Sequence, residues 1–96
     1  MSFVFAVEKL GQAARDLVGV GTIQERLGKA YGPLSVLEDI AVGKLAALGN
    51  RAALVVKFDG VMAGFSAGAA EMPDAEAGML AASVLDLYEE VLSASE

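Results

Sequence analysis

The chain contains no cysteine, no histidine and no tryptophan. Without cysteine there is no disulfide framework, no thiol nucleophile and no Cys-x-x-Cys zinc site. That condition fits a reducing compartment, and a cytoplasmic location is the expectation. Without histidine, Ser-His and Cys-His nucleophile pairs and imidazole metal ligands are excluded. Base is missing from the C-terminal part. All seven basic residues (Lys9, Arg15, Arg26, Lys29, Lys44, Arg51, Lys57) lie at or before position 57, beside five acids. After Lys57 come eight acids and no base, so a net charge of −6 divides into +2 and −8. Phosphate contacts need Lys and Arg, so direct nucleic-acid binding is not expected. A protein partner, basic in character, or self-association pairing the two unlike segments is electrostatically favoured.

What the chain has in excess is apolar surface. Its apolar fraction is 55% before 11 glycines are counted, whereas an ordinary soluble domain reaches about 45–50% with glycine included. The 96 residues suit one helical domain spanning 1–96. In so small a body the surplus predicts an apolar contact surface. The opening MSFVFAVEKL has a short apolar run before Glu8 and Lys9. It lacks a basic n-region and a small-residue cleavage site, so no signal peptide is expected.

Periodicity predicts helices throughout. Phe3, Val7, Leu10, Ala14 and Leu17 share one helical face, which Gly19-Val20-Gly21 ends. Thr22-Ile-Gln-Glu25 reads as a capping box opening a second helix, with Ile23, Leu27, Ala30 and Tyr31 on its apolar side. Gly32-Pro33 is expected to break it. Ser35-Val-Leu-Glu38 reads as a second capping box, opening a helix to about Leu48 with Leu37, Ile40, Ala41, Leu45 and Leu48 inward. Gly49-Asn50 is a C-terminal stop. The last helix begins near Pro73-Asp74, where Asp74 and Glu76 favour the positive helix end. Its stripe is Leu80, Val84, Leu87 and Val91, flanked by Ala81, Leu85, Tyr88 and Leu92.

The stretch KFDGVMAGFSAGAA, residues 57–70, has competing readings. Asp59-Gly60 fits a type I′ hairpin turn setting Leu54, Val56 and Phe58 against Val61, Ala63 and Phe65. Only two strands would be available, and a lone hairpin is marginal. As a helix, Leu54, Phe58, Val61, Phe65, Gly68 and Met72 form a narrow seam. Gly60, Gly64 and Gly68 then form a row along its edge. The helix explains more positions and is preferred. Each mid-helix glycine costs about 1 kcal/mol, so the row predicts close approach of another helix, within the chain or across a dimer. A membrane span over 52–70 is disfavoured by Lys57 and Asp59 inside it.

Signals for chemistry are faint. Gly19-Val20-Gly21 has no preceding strand and no third glycine at the right offset for a dinucleotide loop. Asp86, Glu89 and Glu90 stand at i, i+3 and i+4. They read better as a solvated acidic face than as a cation site, because Ca²⁺ draws six to eight oxygens from a shaped loop. Lys57 and Asp59 lie on different helix faces. Tyr31 and Tyr88 each lie on an apolar side and read as core or interface residues. No catalytic residue, cofactor or metal ligand is assigned.

The opening MSFVFAVEKLGQAARDLVGVG resembles the start of mycobacterial PE domains, which begin MSFV and continue through an alanine-rich helix with an AAxDL-type segment. The resemblance covers about 20 residues and needs small gaps. It implies a secreted helical protein of two long helices that is soluble only with a second protein. The chain departs from that pattern at Gly32-Pro33 and Gly49-Asn50. A Tyr-x-x-x-Asp/Glu secretion pattern would need an acid where Leu92 stands.

The sequence therefore predicts an all-α compact bundle of four to five short amphipathic helices. The expected role is non-enzymatic: a small interaction module, dimeric by preference, that docks on a partner. Its expected contact surface is Phe58, Gly60, Val61, Gly64, Phe65 and Gly68 with Leu85, Tyr88 and Leu92. Asp86, Glu89 and Glu90 are expected to face the partner. One alternative is an inhibitor or antitoxin-like protein whose acidic last helix covers a basic site or mimics nucleic-acid charge; another is a secreted helical partner protein of the PE type.

Overall fold

The computed structural model describes residues 3–38, 48, 51–66 and 68–95. They form an all-α bundle, without a strand among them: α1 (Phe3–Leu17), α2 (Ile23–Glu38), α3 (Ala52–Gly64) and α4 (Asp74–Ser95). A short 3₁₀ turn, Ala69–Glu71, precedes α4. Helix α4 packs against each of the other three, and α1 packs along α2. One apolar cluster lies between them, and no polar or charged side chain is buried in it among the described residues.

The stripe expected of α4 is its buried face. Leu80, Val84, Leu87 and Val91 are all interior, joined by Ala77 and Ala81. In α1 the buried face is shifted from expectation. Ala6, Leu10, Ala13 and Leu17 are buried while Val7 and Ala14 are half-buried. Gly11, buried too, lies under the Tyr88 ring of α4. A Cβ at Gly11 would sit 3.3 Å from the Tyr88 hydroxyl oxygen. Glycine at this position leaves room for the Tyr88 ring against α1.

The turn between α1 and α2 follows the Thr22 capping box. The Glu25 N–H donates to Thr22 Oγ1 at 3.1 Å, and the Thr22 N–H donates to Glu25 Oε1 at 2.9 Å. The Thr22 backbone N–H, then its hydroxyl, then nearby Lys29 hold the Glu25 carboxyl below its usual range. Arg26 Nη1 donates to the Leu17 carbonyl at 2.9 Å. That places a cation on the C-terminal end of α1, where the helix dipole favours it. Gly21 has φ +106°, a left-handed geometry that a side chain would resist.

Two expected boundaries are corrected. Helix α2 does not break at Gly32-Pro33 but runs through Pro33 to Glu38. An interior proline costs roughly 3 kcal/mol. Beyond it, Leu34 and Leu37 are completely buried, and each contributes about 1.5–3 kcal/mol. Continuing the helix is therefore favoured over stopping it. Ser35 is accordingly not an N-cap; its hydroxyl donates to the Gly32 carbonyl at 2.8 Å. Of the helix expected from Ser35 to Leu48, Leu37 and Leu48 are buried. Ile40, Ala41 and Leu45, with the Gly49-Asn50 stop, lie outside the described residues.

The second correction concerns α3. Asp59 and Gly60 are helical, so the hairpin is excluded, but the helix ends at Gly64 rather than at Met72. The Phe65 and Ser66 N–H groups donate to Met62 and Ala63, three residues back, at 3.0 and 3.1 Å. That tightening closes the helix. Gly68 then takes φ +86° and leads into the 3₁₀ turn. Met72 is buried, but from the turn and not from a helical seam. Gln24 Nε2 clasps this turn to α2, donating to the Met72 carbonyl at 2.9 Å and to Asp74 Oδ1 at 2.7 Å.

Candidate docking groove

Helices α3 and α4 run antiparallel, with Lys57 beside Asp86 and Gly64 beside Leu80. Their facing stripes, Leu54, Phe58, Val61 and Phe65 against Leu80, Val84, Leu87 and Val91, fill the space between them. On one flank the packing stops short of the surface. A groove of about 370 Å³ opens there, lined by Val56, Lys57, Gly60 and Val61 of α3 and Leu80, Ser83, Asp86 and Leu87 of α4.

The groove exists because its rim is small. Gly60 has no side chain, and a Cβ there would meet nothing within 4 Å among the described residues. Ser83 opposite spends its hydroxyl on the Met79 carbonyl of its own helix, at 3.0 Å. The floor is apolar, made by Val61, Leu80 and Leu87. Val56 on its rim is 70% exposed, and Met79 of α4 is 73% exposed. Met79 precedes Ser83 by one helical turn and shares its flank of α4.

One end of the groove is charged. Lys57 Nζ donates to Asp86 Oδ2 at 3.1 Å and contacts Glu90 Oε2. Asp86 and Glu90 are one turn apart on α4, so a single lysine bridges both. All three side chains are half in water, 47% exposed for Lys57, 65% for Asp86 and 42% for Glu90. The pair therefore fixes the helices' register more than it adds stability.

The expected contact residues separate into three groups. Phe58, Val61 and Phe65 belong to the chain's own core, and of the three only Val61 also lines the groove. Phe65 also meets the Tyr31 ring of α2, with centroids 5.3 Å apart. Gly60, Gly64 and Gly68 are exposed but do not form a row, because Gly68 lies beyond the helix. Gly64 does sit at a close approach: a Cβ there would lie 2.8 Å from Leu80 Cδ1. Leu85 and Tyr88 face the other way, against α1, and line a second recess with Gly11, Ala14, Arg15, Val18 and Glu89. Leu92 is half-buried. Of the expected acidic residues, Asp86 and Glu90 turn toward Lys57, while Glu89 is exposed on the α1 side.

Sequence reasoning missed Val56, Met79 and Ser83. Their signal was present as i, i+4 spacing: Val56 to Gly60 on one helix and Met79 to Ser83 on the other. It needed the antiparallel pairing of α3 and α4 to become legible. The Lys57 bridge was missed for the same reason.

Among the described residues, no helix is long and apolar enough to cross a membrane. No family model, no curated protein and no solved structure matches the chain. The four helices among the described residues also differ from the two long helices that the PE resemblance of the opening residues implies.

Proposed function

We propose that the chain is a non-enzymatic protein-interaction module that docks a partner on the α3/α4 face. The observation that carries this reading is the groove itself. An apolar floor opens to solvent beside Val56, a large apolar side chain left in water. An apolar cleft open to solvent marks an interaction surface, whereas exposed apolar side chains scattered singly do not. The experiment is site-specific photo-crosslinking in the native host. A photoreactive residue at Val56 should give a discrete protein adduct, and the same residue at exposed Lys29 on α2 should give none. Equal labelling at the two positions, or none at either, would overturn the reading.

The inhibitor reading is favoured by a different observation. Asp74, Glu76, Asp86, Glu89 and Glu90 lie on α4, which carries no base. An enzyme's basic site covered by that helix would be released as ionic strength rises. Apolar docking in the groove would persist.

A further inference from the structure

The turn between α3 and α4 is held differently from the helices it joins. Its two ends are core residues, Phe65 at 7% exposure and Met72 at 5%. Between them Ala69 is half-buried, and Gly68, Ala70 and Glu71 are exposed. Its backbone hydrogen bonds are its own. The Gly68 N–H donates to the Phe65 carbonyl at 3.0 Å, and the Met72 N–H to the Ala69 carbonyl at 3.2 Å. Neither ties the turn to α2. Two α2 side chains do. Gln24 Nε2 holds the Met72 carbonyl and Asp74 Oδ1, and the Tyr31 ring meets the Phe65 ring.

Gln24, Gly28 and Tyr31 stand at i, i+4 and i+7, on one face of α2. The two anchor points are therefore about 10 Å apart along the helix. Between them the turn stands off α2. A Cβ at Gly28 would meet nothing within 4 Å among the described residues. Recesses of about 370 and 320 Å³ open at the turn, and Gly28 lines both. A segment pinned at its ends, hollow beneath and with little apolar surface buried in its middle has low local stability. Gly68, at φ +86°, supplies a joint free of a Cβ.

We infer that residues 68–72 form a strap that opens and closes on α2 while the bundle stays folded, with Gln24 as its latch. Opening withdraws Met72 from the core and bares Phe65 beside Tyr31. The chain then presents an apolar face that the closed form hides, under the control of one side-chain amide. Strap opening is independent of docking in the α3/α4 groove, and an absent adduct at Val56 would leave it standing.

The methionines supply the test. Met79 is 73% exposed, Met72 is 5% exposed, and Met62 within α3 is 8% exposed. Hydrogen peroxide transfers one oxygen atom to an accessible thioether sulfur and leaves as water. Mass spectrometry of the digested full chain follows each methionine. Met79 should oxidise fastest and Met62 slowest. Met72 should fall between them, because strap opening reaches it and only unfolding of the bundle reaches Met62. Gln24→Ala should speed oxidation of Met72 about fivefold, the weight of one net hydrogen bond, and leave Met62 and Met79 unchanged. Alanine is the better helix former, so α2 is not weakened. Gln24→Glu keeps the shape but sets a carboxylate against the Met72 carbonyl and Asp74. At neutral pH it should speed Met72 at least as much. Ser35→Ala removes a hydrogen bond elsewhere on α2 and should change none of the three rates. In the parent chain, Met72 oxidising as slowly as Met62 would mean that the strap opens only with the whole fold. Met72 oxidising as fast as Met79 would mean that it does not close. Either result overturns the inference. So does a Gln24→Ala variant that speeds Met62 and Met72 equally or speeds neither, or a Gln24→Glu variant as slow as the parent.

Discussion

Replacing Gly60 and Gly64 by alanine separates the two roles glycine plays in α3. At Gly60 the added methyl meets nothing within 4 Å among the described residues. The substitution therefore gains helix propensity and narrows the unfolded ensemble, together about 0.5–1 kcal/mol. For a chain of this size that gain raises the midpoint of thermal unfolding by roughly 2–8 °C. At Gly64 the methyl would lie 2.8 Å from Leu80 Cδ1, so Leu80 must move. An off-rotamer side chain costs about 0.5–1.5 kcal/mol. Gly64 is also the last residue of the helix, where the propensity gain is smallest. The expected result is a neutral to destabilising change of up to about 1.5 kcal/mol. Thermal melts followed by circular dichroism compare the two variants directly. The reasoning is refuted if Gly60→Ala destabilises the chain, because something would then occupy the space above Gly60. It is equally refuted if Gly64→Ala stabilises more than Gly60→Ala.

Further predictions follow from the ion pair, the capping box and the left-handed turn. Lys57→Met should lose no more than about 1 kcal/mol, because all three partners are half exposed, and the loss should shrink with added salt. Chemical denaturation at low and high ionic strength checks this; a large, salt-insensitive loss would show that the bridge holds the fold together. The Glu25 carboxyl titrates lower folded than unfolded. Its contribution is therefore complete above the ordinary value of 4.5 and is lost as pH falls through the lower folded value. Glu25→Gln, which keeps the hydrogen bond without the charge, should flatten that acid limb, and an unchanged pH profile would contradict the assignment. Gly68→Ala forces a side chain into φ +86° and should cost about 1–2 kcal/mol, read as a lower melting midpoint.

Much of the architecture was legible because α4 and the Thr22 cap are locally determined. A stripe at Leu80, Val84, Leu87 and Val91 has one place to go in a small bundle. A Thr and a Glu three residues apart satisfy each other without help from elsewhere. The misread positions depend on distant neighbours. Pro33 looked like a stop, and only the burial of Leu34 and Leu37 outweighs its cost. Met72 looked like the end of a seam, yet the chain leaves the helix at Gly64 and reaches the same core through a 3₁₀ turn. Phe58 and Phe65 looked available for a partner because their surroundings are formed by α4 and α2, far away in sequence. The groove was half visible: Gly60 was singled out, but its opposite wall required the pairing that sets Ser83 across from it.

The docking claim is tested most directly by the yield of the Val56 photo-adduct in the Gly60→Met background. A groove that receives a partner is closed by the methionine. The account predicts that the adduct falls to the level seen from Lys29, with the fold intact by circular dichroism. An adduct of undiminished yield would mean that the partner does not enter between α3 and α4, and it would contradict the account.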